Sequence, residues 1–206
     1  MSRYTALLDA NVLYPAPLRD LLLQLAVTDL FRARWTADIH REWIGALLCN
    51  EPERDRAALE RTRDLMDRAT RNSLVEGYHG LVPALTLPDP DDRHVLAAAI
   101  AGHCDVIVTQ NLADFPTETL TPLGIDVQHP DEFLANHLHL APGLFCASIR
   151  KVRARLRKPS CRFQPELWTC RTYEERPKAA PALNLTSSHF SCDYSAVPSI
   201  DHRTLA

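Results

Sequence analysis

The apolar positions of the chain fall into short runs and helical stripes that alternate as far as about residue 137. Tyr4 to Leu8 is a short, mostly apolar run, too brief for a helix and suited to a strand covered on both faces. Beyond Pro15 and Pro17, the leucines at 18, 21, 22 and 25 recur at three- and four-residue spacing, which predicts an amphipathic helix. Arg34-Trp35-Thr36 is a brief strand candidate, and Ala37 to Leu48 a helix with Ile39, Trp43, Ala46 and Leu47 on its apolar stripe. Glu53 to Arg71 is a long helix in which Arg alternates with acids. Asp64 and Asp67 each stand four residues before an Arg, the spacing of a salt-bridged solvated face. Pro83 to Leu87 is a further strand candidate.

The densest pattern runs from Asp89 to Pro116, DPDDRHVLAAAIAGHCDVIVTQNLADFP. Asp89 stands where a helix N-cap would be, Pro90 suits the first helical position, and Val95 to Ile100 form an apolar body that Gly102 ends. Asp105 to Thr109 is then a β-branched strand, and a polar loop with Asn111 and Asp114 comes after it. Gly124 to Val127 is a last strand candidate, and Pro130 to His137 a closing helix started by Pro and acids. This alternation predicts an α/β fold, a three-layer α/β/α sandwich around a parallel sheet of about five strands. There is no internal repeat.

At 206 residues and 46% hydrophobic content the chain has room for one core and a tail. Residues 1–140 form the expected domain, 141–158 a basic C-terminal helix, and 159–206 a stretch without a clean period that is expected to be poorly ordered. RARLRKP reads as a helix cut off in mid-pattern, so a shifted reading frame is one origin for residues 159–206, and rereading the coding DNA in its other frames tests it. The apolar start is interrupted by Asp9 and no run reaches spanning length, from which no membrane segment and a cytoplasmic location are expected. Six cysteines without a C-x-x-C pair give no zinc or redox spacing, and free thiols are the expectation.

The net charge of −3 hides an asymmetry. Residues 1–149 hold 12 Arg and no Lys against 21 acids, a balance of −9, while 150–206 hold 11 basic residues against 5 acids, a balance of +6. Within the acidic part, four acids stand out. Asp9 ends the first strand. Asp92 shares a helical face with Val95, Leu96 and Ala99, so its carboxylate lies on the stripe that should meet the sheet. Asp89 and Asp91 are its neighbours in the run, and the helix face selects Asp92; a capping role for Asp89 and Asp92 alone is the plainer alternative. Glu42 lies beside the second helix's stripe, and Asp114 comes after the strand at 105–109. Strand ends and following helix starts gather on one edge of such a sheet. Carboxylates brought to ~4 Å repel by on the order of 4 kcal/mol per pair, a conflict that a divalent cation removes. Oxygen-only donors point to Mg²⁺ or Mn²⁺.

With these residues in order, the chain resembles the PIN-domain nucleases, which include the VapC-type toxins of toxin-antitoxin pairs. The likeness is carried by LLDANVLY, an acid near ADIHREW, DRHVLAAAIAG and VIVTQNLADFP, and it covers roughly residues 3–140. It implies a PIN-like fold and a metal-dependent endoribonuclease that hydrolyses phosphodiester bonds in single-stranded RNA to a 5′-phosphate and a 3′-hydroxyl. By position it implies Asp9, Glu42, Asp92 and Asp114 as catalytic acids. Asp9, Asp92 and Asp114 would hold Mg²⁺ or Mn²⁺, and Asn11, Thr109 and Asn111 would support them. Its implied partners are single-stranded or structured RNA, an antitoxin protein over the acidic edge, and a second copy of the chain. Positive charge for RNA is densest at Arg150, Lys151, Arg153, Arg155, Arg157 and Lys158, although an amphipathic helix with Val152 and Leu156 on its core side accounts for the same residues. Two rival classes remain: a catalytically silent PIN-like protein-binding module, and a Mg²⁺-dependent phosphate-acceptor domain. The second is disfavoured because Asp9-Ala10-Asn11 lacks paired acids and no Lys precedes Lys151.

Overall fold

A computed structural model describes residues 4–155, and the expectations for 159–206, together with Arg157 and Lys158, lie outside the described residues. Strands β1 (Thr5–Leu8) and β3 (Val106–Val108) are buried at every position. Successive strand side chains point to opposite faces, so helices must cover both sides of the sheet, which is the expected three-layer arrangement. With β2 (Arg32–Arg34) and β4 (Asp126–Gln128) the described residues form a four-stranded sheet in the order β2-β1-β3-β4, parallel throughout. The chain moves outward from β1 to β2 on one side and from β3 to β4 on the other, so a topological switch point lies between β1 and β3.

Two strand expectations are corrected. The second strand begins earlier than Arg34–Thr36: Phe31, Ala33 and Trp35 are buried while Arg32 is exposed, the alternation of an edge strand, and Trp35 instead bridges in parallel to Leu74. Pro83 to Leu87 is not a strand, and the sheet therefore has four members among the described residues rather than about five. Val82–Ala84 forms a 3₁₀ turn with Pro83 early in it, and Leu87 is buried without any ladder. The physical cause is topological: β1 is flanked on both sides, and the outer edge of β2 is met by the Ser73–Val75 segment, through Trp35 N donating to Ser73 O (3.0 Å) and Val75 N to Trp35 O (2.9 Å).

The helices are α1 (Ala10–Leu13), α2 (Ala16–Val27), α3 (Ala37–Asn50), α4 (Arg56–Ala69), α5 (Arg93–Ala101), α6 (Thr117–Leu120), α7 (Pro130–Leu140) and α8 (Pro142–Arg155). Thr36 caps α3 by accepting from Ile39 N, and Asp55 caps α4 by accepting from Ala57 N. Asp89 caps a 3₁₀ turn, Pro90–Asp92, that runs directly into α5. Helix α5 lies on β1 and β3, and α8 packs on α2 and α7. Among the described residues Cys49 is exposed, Cys104 is buried, and both are free thiols. No helix among the described residues is long and apolar enough to cross a membrane.

A polar network is built into the core where α3 and α4 meet. Trp43 Nε1, which can only donate, gives its hydrogen to His40 Nδ1 at 2.9 Å. His40 must then carry its proton on Nε2, which donates to Asp67 Oδ1 at 3.2 Å, and Trp35 Nε1 donates to the same oxygen at 2.7 Å. Burial holds His40 below the usual histidine range despite the Asp67 carboxylate, so the ring is neutral. Asp67 is thus turned inward, whereas its spacing to Arg71 placed it on a solvated face; Asp64 pairs with Arg63 at 2.8 Å.

Gly102 closes α5 through its amide to Ala98 O at 2.8 Å. A Cβ there would stand 2.9 Å from Ala98 O, 3.0 Å from Val75 Cγ2 and 3.2 Å from Cys104 Sγ. Gly102→Ala is therefore expected to destabilise by roughly 1–3 kcal/mol, the usual cost of overpacking. A denaturant midpoint equal to that of the parent would show that the neighbours yield freely.

Candidate active site

Asp9 closes β1, and its backbone amide donates to Val108 O at 3.1 Å, which ties it to β3 across the switch point. Its carboxylate is buried and accepts three hydrogen bonds. Ala10 N donates to Oδ1 at 2.6 Å, and Oδ2 receives both the Thr109 hydroxyl and Asn11 Nδ2 at 2.7 Å. The Thr109 hydroxyl, having spent its only hydrogen on Asp9, accepts from Asn11 Nδ2 at 2.9 Å and from Asn111 N at 3.1 Å. Asn11 Oδ1 in turn accepts from Gln110 N at 3.0 Å. The short helix α1 thus orients Asn11 as a clamp joining the ends of β1 and β3. Of the three polar residues singled out in the sequence, Asn11 and Thr109 act through their side chains and Asn111 through its backbone.

The other acids surround this point. Asp92 stands at the N-terminus of α5 and Asp114 ends a 3₁₀ turn, Leu112–Asp114, anchored by buried Phe115; both carboxylates are half-buried. Glu42 on α3 is largely exposed, and His94 Nε2 holds its Oε1 at 2.8 Å. Burial first, then the charges of Asp9, Asp114 and Asp89, push the Asp92 carboxyl up to about 6. Asp9 is likewise raised, by burial above all and then by Glu42, against the hydrogen bonds of Thr109 and Ala10 that pull it down. His94 is raised above the ordinary histidine range: burial opposes this, but the Glu42 contact and the nearby Asp38 and Asp9 prevail. Acids from β1, α3, α5 and the loop after β3 therefore share one electrostatic field at the carboxyl edge of the sheet.

His94 was not apparent as a site residue in the sequence. Its signal was a titratable ring two positions after Asp92, at the entry to an otherwise apolar helix. The basic cluster is placed in part: Arg150, Lys151 and Arg153 lie exposed along α8, while Arg155 reaches back to α2 and hydrogen-bonds Gln24 Oε1.

The donor chemistry suits a hard divalent cation. Asp9, Asp92 and Asp114 offer only oxygen, and burial first and then the charges of Asp9 and Asp114 raise the Asp92 carboxyl, a cost that a cation of Mg²⁺ or Mn²⁺ type would relieve. Among the described residues no group of three or more His, Cys, Asp or Glu side chains is placed so that it could hold a metal ion. The set fits such an ion in kind, with its carboxylates still apart.

A parallel α/β sandwich with acids at the switch point defines a class, and the chain belongs to the PIN domain family, whose model matches residues 5–113. The model of the VapC50 C-terminal domain matches residues 130–164, a span that includes α7 and α8. Over 64 residues the chain is 47% identical to a protein of Mycobacterium tuberculosis (strain ATCC 25618 / H37Rv) named Putative ribonuclease VapC50. The matched stretch covers 31% of this chain and 37% of that relative. No solved structure matches the chain.

Proposed function

We propose that this chain is a metal-dependent endoribonuclease that hydrolyses phosphodiester bonds in single-stranded RNA, and that it is the toxin of a toxin-antitoxin pair. The observation that carries this reading is the electrostatic coupling of Asp9 to Glu42 and of Asp92 to Asp9 and Asp114 at the switch point, the place where open parallel sheets bind ligands. The name of the M. tuberculosis relative supports it, as does the family to which residues 5–113 belong.

Asp9, Asp92 and Asp114 would hold Mg²⁺ or Mn²⁺. Bound there, such an ion would supply Lewis acidity towards the attacking water and charge neutralisation towards the phosphate. The protein's own part is to keep Asp9 fixed by the Asn11–Thr109 clamp and to aim the Glu42 carboxylate through His94. Glu42 orients the attacking water and takes its proton, while Asn11 and the loop at Asn111 line the approach of the scissile phosphate. An acidic edge repels RNA, and the exposed Arg150, Lys151 and Arg153 of α8 supply positive charge that salt would screen. An antitoxin would cover the same acidic edge.

Purified full-length chain incubated with labelled single-stranded RNA in Mg²⁺ or Mn²⁺ tests this directly. Cleavage is expected to stop on chelation and to fall at least about 100-fold in Asp92→Asn, whose circular dichroism stays that of the parent. An Asp92→Asn protein that cuts as fast as wild type would mean another site or a contaminant. Growth arrest on induction, relieved by the product of the adjacent gene, tests the toxin assignment separately.

A further inference from the structure

We propose that His79 is a stacking platform for a nucleobase of the RNA strand, next to the nucleotide that is cut; the proposal rests on the ribonuclease reading and names a subsite of it. The loop that carries His79 leaves the sheet in a defined direction. Ser73–Val75 runs parallel to β2 where that strand ends, through the Trp35–Leu74 bridge, so the chain beyond Val75 emerges on the carboxyl edge with Asp9 and Thr109. There Tyr78 turns inward and is 2% exposed, while the His79 side chain stays 71% exposed.

An exposed ring is ordinarily free to rotate, but this one is held twice. It stacks on Tyr78, ring centroids 4.2 Å apart and planes within 23°, and its Nε2 lies 3.2 Å from Asp38 Oδ2. Asp38 also accepts the Tyr78 hydroxyl at 2.7 Å and Arg41 Nη2 at 2.5 Å. One face of the His79 ring is therefore taken by Tyr78 and the other is offered to solvent in a fixed plane. Asp38 and Glu42 are one turn apart on α3, so their side chains are neighbours about 5–6 Å apart at Cβ, and Glu42 is the acid that His94 contacts at 2.8 Å and whose charge reaches Asp9. Arg41, with 77% of its side chain exposed, brings a positive charge beside the ring. A flat aromatic face, an adjacent guanidinium and a catalytic acid one helical turn away fit a single-stranded nucleotide, base on the ring and phosphate towards the arginine. Stacking of this kind is tolerant of base identity, so the subsite selects for an unpaired base and not for a particular one.

The test uses the full-length chain and a short fluorescent single-stranded RNA with one cleavage site. His79→Ala is expected to raise KM by roughly tenfold with kcat little changed, and His79→Phe to restore most of the loss because the π-face returns without the Asp38 contact. Removing single bases along the RNA should reveal one abasic position that weakens wild type by a similar factor and has no further effect on His79→Ala. Binding of the same RNA by Asp9→Asn, with and without His79→Ala, reads the platform without catalysis and should show the same weakening. Unchanged KM and unchanged binding in His79→Ala overturn the platform while leaving the nuclease reading intact. A wild-type chain that binds RNA but never cuts it overturns the nuclease reading, and the binding comparison still decides the platform. A loss in His79→Ala that phenylalanine does not restore, accompanied by a lower melting temperature, shows a structural role and overturns the proposal.

Discussion

Asp9→Asn is expected to lower RNA cleavage at least about 100-fold while leaving the melting temperature within a few degrees of wild type. The loss stems from the position of the carboxylate, which is the buried member of the acidic group and the one whose charge reaches Glu42 and Asp92. Two effects on stability oppose each other. Asparagine removes a desolvated charge, which is favourable because burial already raises the Asp9 carboxyl above its usual range. It also places an NH₂ group against either Ala10 N–H or the Asn11 and Thr109 donors, and one buried donor left unmatched costs roughly 1–3 kcal/mol. These contributions have opposite signs, so a large fall in activity reports on chemistry. Cleavage rates and thermal melts of the same preparation check both halves. Cleavage within about threefold of wild type would remove Asp9 from the mechanism.

Asp9 was visible in the sequence because LLDAN puts one acid at the end of a run that is otherwise apolar, and the run is buried at every strand position. Asp92 was visible because helical spacing put it on the apolar face of what became α5, and half-burial beside Asp9 and Asp114 is the outcome of that placement. What local spacing could not convey is pairing across distance. His94 and Glu42 are 52 positions apart and meet only because α3 and α5 both begin at the carboxyl edge. The Pro83–Leu87 expectation failed for a related reason. Its apolar residues do find a core, through Leu87, but every place in the sheet beside β1 is taken, and burial without a ladder leaves a loop. The edge strand β2 was displaced by two residues because Arg32 and Arg34 hide its alternation, which becomes readable only once Phe31, Ala33 and Trp35 are known to be buried.

Asp67→Ala is expected to destabilise the protein by roughly 2–3 kcal/mol, which for a domain of this size lowers the melting temperature by about 5–10 °C. Residue spacing along α4 argued for the opposite, a surface acid worth a few tenths of a kcal/mol to its helix. The structure turns Asp67 into the acceptor for two buried donors, Trp35 Nε1 and His40 Nε2, and removing it strands both. The Asp67 side chain is 30% exposed, so water can reach part of the vacated space, which keeps the loss near the lower end for two orphaned donors. The same network makes a signed statement about pH. His40 has a folded pKa below its unfolded value, so its neutral form contributes stability that is fully present above about pH 6.5 and is lost as pH falls through the folded value. Protonation at Nδ1 would set one N–H against that of Trp43, which is why the burden falls on the folded state. Asp9, Asp92 and His94, all raised, push stability the other way on acidification, so total stability does not isolate the effect. The difference between wild type and His40→Gln does isolate it. Wild type should be the more stable protein at pH 7.5, with the gap narrowing steadily below about pH 6.5; a gap that widens on acidification would show that His40 is protonated in the fold.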